Sequence, residues 1–125
     1  MKRILITGAT SGIGRATALR LAAADTEIII TGRRKERLDA LAESLKGKGG
    51  RLLPFAGDVS REETMNGAIE LAVKEFGRLD ILVNNAVDRR NMTSLQNATR
   101  EKLRASAEVN LNGQILLSQA VIPHM

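Results

Sequence analysis

Short, unbroken apolar runs recur along the chain at Ile4-Leu5-Ile6, Ile28-Ile29-Ile30, Leu52-Leu53 with Phe55, and Ile81-Leu82-Val83, and between them apolar residues return at helical spacing. Continuous rather than alternating apolarity in runs of this length predicts parallel strands covered on both faces. The intervening stretches predict helices. One runs from about Gly12 to Ala24, directly behind the first strand. A second, Arg34 to Lys46, aligns Leu38, Leu41, Ala42 and Leu45 in one stripe, and a third, Arg61 to Phe76, does so with Ala68, Ile69, Ala72, Val73 and Phe76. Ser60 is placed to cap the third helix, Glu62 and Glu63 suit the positive end of its dipole, and Gly77 suits a left-handed C-terminal turn.

Strands alternating with helices imply right-handed crossovers and an α/β fold, an open parallel sheet with helices on both faces. The expected plan is a Rossmann-like half fold with about four parallel strands in the order 3-2-1-4, occupying residues 1–125 as a single domain. After the fourth strand comes a polar loop, Asp88 to Ala98, and then a long helical segment over about 99–125. Asn110, Asn112 and Gly113 interrupt that segment, which predicts a weak point or bend. Gly47-Lys48-Gly49-Gly50 reads as a turn, and no internal repeat or low-complexity tract is visible.

Composition narrows the chemistry. With 125 residues, 43% hydrophobic and 26% charged, the chain is in the soluble globular range and long enough to bury a core. It has no Cys, which removes thiol catalysis and thiolate metal sites, and no Tyr, which removes any phenolic acid or base. One His, His124 near the end, and scattered carboxylates give no metal-ligand spacing, so no metal is expected. The net charge of +5 gathers at Arg33-Arg34-Lys35 with Arg37 and at Lys46, Lys48 and Arg51. Without interleaved aromatics these clusters predict a solvated helix face plus one anion site, not nucleic-acid binding. The first apolar run breaks at Thr7-Gly8, too early for a signal segment or membrane span, so a cytoplasmic location and no membrane partner are expected.

The strongest chemical signal is Thr7-Gly8-Ala9-Thr10-Ser11-Gly12-Ile13-Gly14, at the junction of the first strand and first helix. Gly8 allows a sharp turn, Gly12 allows close approach of backbone to an anion, and Gly14 allows the helix to pack on the sheet. The helix N–H groups, with the Thr10 and Ser11 hydroxyls, then face a pyrophosphate. At the end of the second strand, Thr31-Gly32 is followed by Arg33 and Arg34, where an NAD-selective site would offer a carboxylate to the ribose. Two guanidinium groups suit a 2′-phosphate, so NADP(H) is favoured over NAD(H) as cofactor.

The TGxxxGIG spacing resembles that of the short-chain dehydrogenase/reductase superfamily, and further segments match it in order. Asp58-Val59 is similar to the family's adenine-contacting pair, Asn84-Asn85-Ala86 to its NNAG motif, and Val109-Asn110-Leu111 to the segment carrying its helix-four asparagine; Pro123 and Met125 match the end of that helix. The resemblance covers essentially the whole chain. It implies adenine contacts at Asp58 and Val59, bracing of the sheet by Asn84 and Asn85, ribose contact near Ala86, and a place for Asn110 in a proton relay. Two departures stand out. Val87 replaces the last glycine of NNAG, and the family's catalytic serine and YxxxK pair belong beyond the helix-four asparagine; Ser94, Ser106 and Ser118 sit on the wrong elements to replace them.

The expected function is an NADP(H)-binding half-module, truncated relative to the family and without turnover alone. Two alternatives stay open: an active NADP-dependent oxidoreductase of carbonyls or alcohols completed by a missing half or second chain, and a non-binding scaffold or designed fragment. A sheet ending at Ile81 to Asn84 and a last helix apolar at Ile115, Leu116 and Val121 predict a homodimer or larger assembly covering both.

Overall fold

Four parallel strands form one sheet in the order β3-β2-β1-β4, as expected. In the computed structural model, which describes residues 1–125, they are β1 (Lys2–Ile6), β2 (Thr26–Gly32), β3 (Arg51–Ala56) and β4 (Ile81–Val83). Ile4 lies beside Ile28 on one side and Ile81 on the other, which sets the register of β2, β1 and β4. The continuous apolar runs arise because both faces are covered. Leu5 and Ile29 point into one core with Ala68, Ile69, Ala72 and Phe76, whereas Ile4, Ile6, Ile28 and Ile30 point into the other with Ala18, Leu38 and Leu41. Each such fully buried aliphatic side chain contributes about 1.5–3 kcal/mol relative to exposure. β3 is an edge strand and only half-buried, which accommodates Pro54 opposite Ile30 despite its missing N–H.

The helices are α1 (Gly12–Leu21), α2 (Lys35–Ser44) and α3 (Glu62–Phe76). α1 ends before the expected Ala24 because Thr26 takes over the chain there: its hydroxyl accepts the Ala23 N–H at 2.9 Å. Gly77 closes α3 with φ 83°, the left-handed turn that glycine adopts without strain. Ser60 does not cap α3. Its hydroxyl donates to Asp58 Oδ1 at 2.8 Å and its N–H to the same oxygen at 3.0 Å, while Arg61 stands at the cap position with no side-chain bond. The nearer carboxylate captures the serine.

From Arg100 onward the chain is helical almost throughout. The polar loop contains a short 3-10 turn at Leu95–Asn97, and Thr99 caps α4 (Arg100–Ala107) by accepting the Lys102 N–H at 3.1 Å. The expected bend is a π-helical turn, Glu108–Gly113, continuing directly into α5 (Gln114–Val121) and a 3-10 turn at Ile122–His124. α5 packs through Leu117 and Val121 into the core beside α3, so Val121 is not part of an open face. Leu111, Ile115, Leu116 and Ile122 are exposed around it. No helix is long and apolar enough to cross a membrane.

Candidate functional site

The C-terminal ends of the four strands open into a cleft of about 520 Å³. Sequence pattern decides why it forms there: in a parallel sheet every strand delivers its loop to the same edge, and adjacent loops leave a crevice where the strand order reverses, here between β1 and β4. The floor is the glycine turn. Gly8 has φ 67° and lies so close to β4 that a Cβ there would sit 2.8 Å from Ala86 Cα. A Cβ on Gly14 would collide with the Gly8 carbonyl and the Asn85 amide. Gly12 differs: with φ 55° it has nothing within 4 Å of the Cβ position and is open to the cleft.

Asn85 ties this floor to β4. Its Nδ2 donates to the carbonyls of Thr7 at 3.1 Å and Gly8 at 3.2 Å, and the N–H groups of Asn85 and Ala86 both donate to Thr7 Oγ1 at 3.0 Å. Asn84, expected to be a buried brace, is exposed and reaches α5 instead, donating to Ser118 Oγ at 2.9 Å.

The cleft brings together Gly8, Thr10, Ser11, Gly12 and Ile13 from the glycine turn, Arg33 and Arg34 from the end of β2, Asp58 and Val59 after β3, and Asn85 and Ala86 after β4. Gly14 lies buried just behind it. Ser11, the N-cap of α1, makes no side-chain cap bond, so the helix offers its first N–H groups and positive dipole end to the opening. The two arginines differ. Arg34 Nη2 donates to Thr10 Oγ1 at 2.9 Å and Ser11 Oγ at 3.4 Å, bracing the glycine turn, whereas Arg33 enters no salt bridge. An uncapped helix start and a guanidinium outside any salt bridge, in one crevice, suit a polyanion.

Sequence reasoning missed the far wall. Val87 is exposed along it, and Asp88, Arg89 and Arg90 follow. Asp88 is 5% exposed, yet both of its oxygens are paired: Oδ1 accepts from Arg90 Nε and from the Arg90 N–H at 2.9 Å each, and Oδ2 accepts from Arg90 Nη2 at 2.6 Å. Asn110, at the π-helical turn, fixes the Asp88 backbone from below. Its carboxamide oxygen accepts the Asp88 N–H at 2.8 Å, and its Nδ2 donates to the Asp88 carbonyl and to Ser106 Oγ, each at 3.1 Å. The side chain expected at a proton relay is thus committed to bracing a loop. The missed signal was Asp-x-Arg, two opposite charges one residue apart, within an otherwise ordinary polar stretch.

These contacts set the titration of the two carboxylates. Burial pushes the Asp58 carboxyl up, but the Ser60 N–H and hydroxyl, with Arg33 and Arg90 nearby, outweigh it and hold the carboxyl below its ordinary value. The Arg90 side-chain hydrogen bonds take Asp88 further, from 3.8 to about 2, against the opposing effect of burial, and Arg33 adds to the lowering. Because the folded-state value is depressed, Asp88 contributes stability above its unfolded pKa and loses it as pH falls through the folded one. Thermal melts of the protein and of Asp88→Asn are therefore expected to differ near neutral pH and to converge between pH 3.8 and about 2. A pH-independent difference would contradict this assignment.

The ordered parallel sheet, its glycine turn after β1 and the crevice at its C-terminal edge define a Rossmann-type α/β protein. Comparison with known proteins places it more narrowly. The family model described as short chain dehydrogenase matches residues 2–125. The chain is 37% identical over 124 residues to the 3-oxoacyl-[acyl-carrier-protein] reductase of Thermotoga maritima, matching 99% of this chain and 50% of that protein. L-sorbose reductase from Gluconobacter frateurii, solved with NADPH and L-sorbose, superposes with a TM-score of 0.89 at 36% identity, over 99% of this chain and 47% of that one. The 3-ketoacyl-(acyl-carrier-protein) reductase of Brucella melitensis, solved with NADH, gives 0.87 at 34%, over 98% and 49%. The protein belongs to the short-chain dehydrogenase family. It spans between 24% and 50% of the length of the curated relatives it matches.

Proposed function

We propose that the cleft binds a nicotinamide dinucleotide, with NADP(H) preferred over NAD(H), and that these 125 residues act as the cofactor-binding part of a short-chain dehydrogenase/reductase without turning over substrate alone. The observation that carries this reading is the convergence of Gly12, open to the cleft at the uncapped start of α1, with the unpaired Arg33 guanidinium. The first suits a pyrophosphate and the second a 2′-phosphate. Arg34 holds Thr10 and Ser11 in place beneath them, Asp58 and Val59 form the adenine side, and Asn85 and Ala86 the ribose side. When bound, the cofactor supplies hydride chemistry. The chain's own part is to fix phosphates, ribose and adenine.

Turnover also needs a proton donor near the substrate carbonyl, and the sequence holds no Tyr to serve as one. His124 does not line the cleft, and Asn110 is committed to the Asp88 backbone. Fluorescence titration with NADPH and NADH tests binding, with tighter NADPH expected and equal affinities contradicting the preference. A carbonyl-reduction assay on the same sample tests the rest: no turnover is expected, and turnover by the purified chain overturns that part.

The fold also supports an assembly. β4 pairs only with β1, leaving its other edge free, and Leu111, Ile115, Leu116 and Ile122 stand exposed on the helices that follow. A homodimer or larger assembly that covers this edge and helix face is the expected state. Light scattering across a dilution series is expected to show it, and a monomer at every concentration would contradict it.

A further inference from the structure

We propose that Arg90 is a further ligand-contacting residue of the cleft, a fixed guanidinium plate against which the adenine ring of the bound dinucleotide stacks. The inference rests on the NADP(H) reading above. Arg90 lines the cleft on the wall that follows β4, in the same cleft as Arg33 from the end of β2 and Asp58 and Val59 after β3. Arg33 and Arg90 both act electrostatically on the Asp58 carboxylate.

The two guanidinium groups are in different chemical states. Arg33 has no salt-bridge partner, so its charge is available to an anion. Arg90 presents Nε and Nη2 to both oxygens of the nearly buried Asp88, which offsets its charge and fixes its plane. Its side chain is nevertheless 61% exposed. A planar group with its edge occupied and its face open is suited to stacking, and guanidinium stacks on aromatic rings where ammonium does not. The plate is also held before any ligand arrives, since Asn110 clamps the Asp88 backbone through both its N–H and its carbonyl. Arg90 therefore contributes shape and Arg33 contributes charge.

That division gives a sharp test. Calorimetric titration of NADPH into the wild-type chain, Arg90→Lys and Arg90→Gln, at low and high salt, is paired with thermal melts of each protein. Arg90→Lys keeps a cation for Asp88, so it isolates the plane from the ion pair should Arg90→Gln fold poorly. Arg90→Lys is expected to bind NADPH about five-fold more weakly, by the same factor at both salt concentrations, and Arg90→Gln, which also leaves the Asp88 carboxylate without its cation, at least as weakly. Unchanged affinity, rescue by lysine, or a difference that vanishes at high salt would each overturn the stacking role while leaving the NADP(H) reading intact. Absence of NADPH binding to the wild-type chain would overturn that reading itself, and this inference with it.

Discussion

Gly14→Ala is expected to lose about 3 kcal/mol of stability, with a fall in Tm on the order of 10–15 °C, the largest effect of any single methyl added at the site. Gly14 is buried on the first turn of α1, and the new methyl would meet the Gly8 carbonyl oxygen and carbon and the Asn85 amide. The Gly8 atoms are backbone, and the Asn85 amide can rotate only by giving up its bonds to the Thr7 and Gly8 carbonyls. The Gly8 carbonyl is part of the turn itself and accepts from Asn85 Nδ2 at 3.2 Å, so relief requires α1 to move off the sheet and the Asn85 clamp to open. Gly12→Ala is the control. It lies two residues earlier, with open space at its Cβ position, and φ 55° costs an alanine about 1 kcal/mol. Its main effect is expected in NADPH affinity, because the methyl projects toward the cleft. Equal melting temperatures for the two variants would contradict the assignment of one glycine to packing and the other to the ligand.

Arg33→Ala is expected to weaken NADPH binding by about 10- to 100-fold, the worth of charge-assisted hydrogen bonds to a phosphate, and to change NADH binding by less than about two-fold. The structure leaves this guanidinium without a salt bridge at the mouth of the cleft, and no carboxylate follows β2 to take the ribose hydroxyls. Its neighbour does a different job. Arg34 holds the Thr10 and Ser11 hydroxyls, so its removal loosens the glycine turn and is expected to weaken both cofactors alike. The Arg33 effect is also expected to shrink as salt rises. A loss shared equally between NADPH and NADH would contradict the 2′-phosphate role.

Much of the fold was legible because its signals are local. Ile4-Leu5-Ile6 and Ile28-Ile29-Ile30 read as buried parallel strands since each residue, up or down, meets a helix layer, and Gly77 announced its own left-handed turn. The glycine turn was legible for the same reason: turn, open approach and close packing each demand the absence of a side chain at a known spacing. What escaped depends on partners distant in sequence or on competition between near neighbours. Nothing local in Asn110 shows that it will grip Asp88, 22 residues away, from within a π-helical turn. Ser60 had the sequence context of a helix cap, but the Asp58 carboxylate two residues before it was the better partner. Adjacent residues also diverge. Asn84 and Asn85 share chemistry, but the first reaches Ser118 on α5 and only the second reaches the glycine turn.

The cleft floored by the glycine turn is proposed to take NADP(H). The most direct measurement is an amide-resolved NMR titration of the purified chain with NADPH. The N–H signals of Gly12 and Ile13 are expected to shift most, together with those of Arg33, Asp58, Val59 and Ala86, while those of α5 stay in place. Saturating NADPH that moves none of these signals, or moves only signals remote from the cleft, would contradict the account.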